Sequence, residues 1–164
     1  MLKIWYRLKC PKGNEADYVE KCQKAITSDH MRGLKEAVYF QYQRMIRYGG
    51  QWHLEKKPLM PGYIFLSGTE ASKVEGQMRE EEKSHLEPCE ISYLKTLCSK
   101  GNLIGMSRGI IKNGMPVVTS GPLWGREKLI RRIDRHKRTA EIGIPFGGQE
   151  YRVTVGLEIY EKQV

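Results

Sequence analysis

Apolar and polar residues alternate at the start of the chain. Leu2, Ile4, Tyr6 and Leu8 share one side of an extended segment, a period of two that predicts a half-buried strand over residues 2–8. Pro11 and Gly13 end it. The period then changes: Ala16, Val19, Cys22, Ala25 and Ile26 recur at helical spacing, which predicts an amphipathic helix over Glu15–Thr27. Asn14 is placed as its N-cap, and Glu15 and Asp17 suit its positive end. A link through His30–Gly33 follows. Strands are expected at Ala37–Met45 and Gln51–Lys57, joined at Tyr48-Gly49-Gly50, because paired glycines supply the positive φ of a tight hairpin. Pro58–Pro61 breaks the chain, and the apolar run Gly62–Ser67 suits a strand buried on both faces. Glu70–Glu82 reads as a polar helix, and Cys89–Cys98 as a helix with Ile91, Leu94 and Leu97 on one face. The order β-α-β-β-β-α-α implies an α+β sandwich, helices against a mostly antiparallel sheet.

Beyond this the pattern weakens and then changes character. Ser99–Ile111 is rich in Gly, Ser and Lys and reads most simply as a linker. Short strands are expected afterwards at Met115–Ser120, Glu127–Ile133, Thr139–Ile144, Tyr151–Val155 and Leu157–Glu161, with turns at Gly121-Pro122, Asp134–Lys137 and Phe146-Gly147-Gly148. Leu129, Ile130 and Ile133 would also suit one face of a helix. Closely spaced short strands imply a small SH3-like barrel. The expected organisation is a first domain over 1–99, a linker over 100–111 and an all-β domain over 112–164.

Charge sharpens this picture. The 164 residues carry a net charge of +9. The stretch Gly121–Arg138 holds seven Lys or Arg (Arg126, Lys128, Arg131, Arg132, Arg135, Lys137, Arg138) against Glu127 and Asp134, so it contributes 7 − 2 = +5 by itself. Leu123, Trp124, Leu129, Ile130 and Ile133 are threaded through it, so it can fold. A folded basic surface this dense points to a polyanion, most plausibly nucleic acid; a solvated basic face is the bland alternative. Arg126, Lys128, Arg131, Arg132, Arg135, His136, Lys137 and Arg138 are the candidate nucleic-acid-contacting residues. The hairpin around Arg44, Arg47, Gln51 and His53 reads as solvated, with an approach to nucleic acid or to the protein partner of the first domain as the second reading.

Other chemistry finds little footing. The four cysteines (Cys10, Cys22, Cys89, Cys98) form no CxxC pair, and no histidine stands beside one, so no metal site is expected and buried free thiols are. No nucleophile–base pairing, phosphate-binding glycine loop or metal-ligand set is recognisable, so neither an enzyme nor a cofactor is expected. No apolar run reaches the roughly 20 residues that span a bilayer, and the first residues carry no signal region. The expectation is a cytoplasmic monomer without a membrane partner.

Two landmarks carry a family resemblance. Trp5-Tyr6, then Gly13-x-Glu15 before a helix, then Pro61-Gly62-Tyr63-Ile64-Phe65, resembles the N-terminal (NGN) domain of NusG-type transcription factors. Val117-Val118-Thr119-Ser120-Gly121-Pro122-Leu123 followed by Ile133-Asp134 resembles the KOW barrel of that family, with Lys128 where the motif usually has glycine. The continuation Arg135-His136-Lys137-Arg138 and the closing Gly156-Leu157-Glu158 are most similar to the specialised LoaP branch, whose members are processive antiterminators. The resemblance spans nearly the whole chain. It implies that the first domain docks on the clamp helices of RNA polymerase, with Trp5, Tyr6, Pro61, Gly62, Tyr63 and Phe65 as pocket residues or, for Trp5 and Phe65 equally, as core. It implies that the barrel binds a structured nascent RNA hairpin, or recruits NusE or Rho. A general elongation factor coupling polymerase to ribosome or Rho is the alternative, and a ribosomal-type RNA-binding protein a more distant one.

Overall fold

The computed structural model describes residues 4–28, 33–68, 83–86 and 88–164. In chain order the elements are β1 (Ile4–Lys9), α1 (Glu15–Thr27), β2 (Leu34–Val38), β3 (Gln41–Tyr48), β4 (Gln51–Pro58), β5 (Tyr63–Gly68), β6 (Lys83–Leu86), α2 (Pro88–Leu97), β7 (Leu103–Ile104), β8 (Ser107–Lys112), β9 (Met115–Ser120), a 3-10 turn (Glu127–Leu129), β10 (Ile130–Asp134), β11 (Thr139–Phe146) and β12 (Gln149–Gln163). The fold is α+β, as the periodicities imply. The polar helix expected at Glu70–Glu82 and most of the link at His30–Gly33 lie outside the described residues. No described helix is long and apolar enough to cross a membrane.

The chain forms two compact units, residues 1–40 with 60–93, and 41–59 with 94–164. In the first, the sheet runs β2-β5-β1-β6, with β1 antiparallel to β5 and to β6. Tyr6 opposes Leu66 and Leu8 opposes Ile64, so the alternation read from sequence puts these side chains on one face. There they join Leu34 and Ala37 in a core against which Tyr18, Val19, Cys22 and Ile26 of α1 pack. Asn14 stands at the N-cap position but makes no side-chain cap. Glu15 acts instead: its carboxylate accepts the Gly13 N–H at 2.8 Å. The expected strand Ala37–Met45 is two strands, β2 and β3, interrupted at Tyr39-Phe40. Phe40 turns inward and meets Phe65 edge-on, with ring centroids 5.3 Å apart. Lys83–Leu86, where the sequence reading places no strand, forms the edge strand β6 beside β1.

The second unit holds two sheets, β10-β11-β12-β8-β9 and β4-β3-β7. The long strand β12 organises the first of them. Its first half pairs antiparallel with β11, and its second half pairs parallel with β8 from Leu157 opposite Ser107 onward. The two strands expected at Tyr151–Val155 and Leu157–Glu161 are therefore one. Gly156 sits at the change of partner, where a Cβ would collide with the Met106 sulfur and the Gln43 carbonyl. The supposed linker 100–111 contains β7 and most of β8. Asn113 and Gly114, both at positive φ, close a tight hairpin between β8 and β9, as Gly49-Gly50 do between β3 and β4. Glu127–Leu129, expected as strand, is a 3-10 turn because Arg126 N–H donates to the Leu123 carbonyl and Leu129 N–H to that of Arg126, while the Glu127 carboxylate accepts the Val118 N–H at 3.1 Å.

Candidate nucleic-acid interface

The two sequence landmarks of the first unit prove to be one structural knot. Glu15 is only 2 % exposed. Besides Gly13, its Oε1 accepts the N–H of Gly62 at 3.3 Å, and the Gly62 carbonyl accepts the Cys10 N–H at 2.8 Å. Gly62 has φ +85°, a conformation side chains resist, and its nearest neighbours leave a Cβ little space. Gly13-x-Glu15 and Pro61-Gly62 thus fix the turn that delivers β5. Of the six residues expected at a polymerase-facing pocket, Pro61 is exposed and Tyr63 half-buried, with the Arg7 guanidinium 4.7 Å from its ring centre. Trp5, Tyr6 and Phe65 are core residues at 3 %, 1 % and 0 % exposure, and Gly62 is buried. Alternation alone could not distinguish a face open to a partner from one covered by a distant residue such as Phe40.

The basic stretch sorts into two groups. Asp134 ends β10, and its Oδ1 accepts the N–H of Lys137 at 2.9 Å, closing the 135–138 turn. That hydrogen bond, reinforced by the charges of Lys137, His136 and Arg132, holds the Asp134 carboxyl below its ordinary pKa. Arg138 completes the turn at φ +55°. Arg132, Arg135, His136 and Lys137 are all exposed on this one hairpin. Arg131 is engaged within the fold instead: Nε donates to Glu150 Oε1 at 2.9 Å, a terminal nitrogen to the same oxygen at 2.6 Å, and another to the Lys128 carbonyl at 2.6 Å. Arg131 in turn pulls the Glu150 carboxyl down. Arg126 donates to the Pro122 carbonyl at 3.0 Å and to that of Thr96 at 3.4 Å, tying down its loop. Lys128 is exposed on the 3-10 turn. Counting basic residues along the sequence could not separate cations facing solvent from those bound internally.

The structure adds residues outside the basic stretch. Strand β3 packs beside β12, and Arg138 lies over the Trp52 ring of β4 at 3.9 Å from its centre. Between β3 and the β10–β11 hairpin is a cleft of about 280 Å³, lined among others by Tyr42, Arg44, Arg132, Asp134, Lys137 and Glu141. The Nε of Arg44 is buried with no hydrogen-bond partner among the described residues. Leaving such a donor unmet costs about 1–3 kcal/mol. Beyond the cleft, Tyr48 stacks on His53 with centroids 3.6 Å apart.

Among the described residues no group of His, Cys, Asp or Glu is placed to hold a metal ion. Cys10, Cys22 and Cys98 are free and half-buried; Cys89 is exposed, correcting the expectation that all four are buried. Burial pushes the Cys98 thiol up to about 11.

No protein-family model and no curated protein matches the chain. A solved structure of NusG from Thermotoga maritima, described by its domain interaction, is similar over 95 % of this chain and 94 % of that one, at 16 % identity and a TM-score of 0.48.

Proposed function

We propose that this chain is a NusG-type transcription elongation factor acting as a processive antiterminator, with the second unit binding structured nascent RNA and the first docking on the polymerase clamp helices. The observation that carries the reading is the β10–β11 hairpin, where Arg132, Arg135, His136 and Lys137 are exposed together on a turn fixed by Asp134. Such a cluster neutralises phosphates and releases counterions, and arginine adds forked contacts to phosphate or guanine. A stem-loop offers these groups both a backbone and splayed loop bases. The Glu15 knot supports the first-unit assignment, because it joins Gly13-x-Glu15 to Pro61-Gly62, the residues on which the family resemblance rests. Pro61 and Tyr63 are then the polymerase-facing residues, and Trp5, Tyr6, Gly62 and Phe65 position them. No chemical step is required. A factor that binds the closed, elongating polymerase better than the open, terminating one shifts the population toward elongation by that difference in affinity.

The test is transcription in vitro across two successive intrinsic terminators, on templates with and without the leader of the chain's own genomic neighbourhood. Readthrough of both terminators that depends on the leader is the expected result. Polymerase binding without readthrough on either template would sink the antiterminator reading. It would favour the second reading, a general elongation factor that recruits NusE, Rho or another protein. That reading has an observation of its own: Trp124 is 70 % exposed in the loop after β9, where an aromatic side chain could anchor a protein partner.

A further inference from the structure

The hairpin β3–β4 reads from sequence as a solvated projection, yet it forms one wall of the cleft beside the basic turn. Resting on the proposed RNA-binding role of the second unit, we infer that this cleft is a seat for an RNA backbone phosphate, with Arg44 of β3 as its inner ligand and Arg132 and Lys137 at its rim. The RNA site is then bipartite, shared by the barrel and the hairpin, and not confined to the basic stretch.

Three observations converge. First, the charges of the lining are unequally engaged. Its two carboxylates already have partners: Asp134 accepts the Lys137 backbone N–H, and Glu141 pairs with Arg152 at 3.0 Å. The side chains of Arg44, Arg132 and Lys137 make no hydrogen bond or ion pair among the described residues. Three cations against two carboxylates leave the lining with a net charge of 3 − 2 = +1, around a space large enough for a phosphate, which an anionic ligand would complete. Second, Arg44 lines the cleft and its buried Nε lacks an acceptor, so a small shift of the guanidinium toward a phosphate, whose several oxygens match its fork, would satisfy it. Third, the cleft is built. Gly156 lets the backbone of β3 approach β12 at Gln43, one residue from Arg44, and Arg138 stacked on Trp52 fastens the hairpin to the turn that carries Lys137. Preorganised walls reduce the ordering cost of binding.

The experiment uses the full chain and a fluorescein-labelled stem-loop RNA with a G·C stem and a GAAA loop, since phosphate contacts do not depend on sequence. Affinity is measured across a salt series for the wild type, Arg44→Met, Arg44→Lys and Lys137→Gln. Arg44→Met keeps the aliphatic stem and removes the guanidinium. It should weaken binding about tenfold and make the dependence of log affinity on log salt shallower by about one contact's worth. Arg44→Lys should retain the salt slope and recover part of the affinity. In the unaltered protein, the Arg44 Nε–H resonance should shift on adding the RNA, a readout that survives if Arg44→Met fails to fold. If Lys137→Gln weakens binding while both Arg44 variants match the wild type and the Nε–H resonance stays put, the hairpin is no part of the site and the barrel reading stands alone. If the wild type binds no RNA at all, both readings fall.

Discussion

Glu15→Ala should loosen the first unit far more than a surface glutamate would, and the structure sets the size of the effect. The Glu15 carboxylate serves two backbone donors. The Gly62 bond at 3.3 Å is buried, and the Gly13 bond, at 2.8 Å to one oxygen and 3.2 Å to the other, is only partly so. Removing the carboxylate leaves the Gly62 N–H without an acceptor, at about 1–3 kcal/mol. Water can replace much of the Gly13 bond, so that loss is nearer 1 kcal/mol. The sum is roughly 2–4 kcal/mol, which for a unit of this size lowers the melting temperature by roughly 8–30 °C. Glu15→Gln can keep the Oε1 position, which accepts from both Gly13 and Gly62, and loses only the longer Gly13 contact to Oε2, so it should fall between. Calorimetry gives the global loss, and amide exchange at Gly62 gives the local one. If Glu15→Ala melts within a degree or two of the wild type and Gly62 exchange is unchanged, the knot is not what holds the Pro61-Gly62 turn. If the variant folds but loses polymerase binding at low temperature, the turn it positions is part of the docking surface.

Other outcomes follow from single residues. Because Asp134 has its carboxyl pKa depressed in the fold, the contribution of its hydrogen bond to the turn is present above the unfolded carboxylate value of about 3.9 and is lost as pH falls through the lower folded value; carboxyl and Lys137 amide NMR titrations should therefore move together, below pH 3.8. Iodoacetamide near pH 8 should modify exposed Cys89 well before Cys98, whose thiol at about 11 is almost wholly protonated there, as mass mapping would report. Gly156→Ala should destabilise the second unit by about 1–3 kcal/mol, because its Cβ must displace the Met106 side chain and the β3 backbone; an unaltered denaturant midpoint would contradict the close approach.

What was legible in the sequence was whatever rested on local periodicity. The alternation at Ile4–Leu8, the helix at Glu15–Thr27 and the double glycine at 49–50 appear in the structure where the pattern places them. What was not legible depended on partners far along the chain. The Gly-rich appearance of 100–111 masked β8, although Asn113-Gly114 is itself a hairpin signal, because β8 is completed by a parallel partner in β12. Residues 41–59 adjoin the first domain in sequence, yet they cluster with 94–164. The candidate site shows the same division. The basic stretch announced itself by composition, whereas the engagement of Arg131 with Glu150, and the placement of Arg44 beside Lys137, are tertiary facts without a short-range trace.

The partner switch along β12 bears on how the molecule is assembled during synthesis. Ser107 is paired with Leu157, which leaves the translating ribosome 157 − 107 = 50 residues later. Throughout that interval β8 can hold only its hairpin mate β9, and one of its edges is bare. The wait is longer for β3, whose neighbour β7 comes from residues 103–104. The second unit is therefore set to close late and as a whole. For anyone dividing the chain into pieces, a cut near residue 100 would separate β3 from its sheet partner β7, and a piece starting at 112 would lack β8.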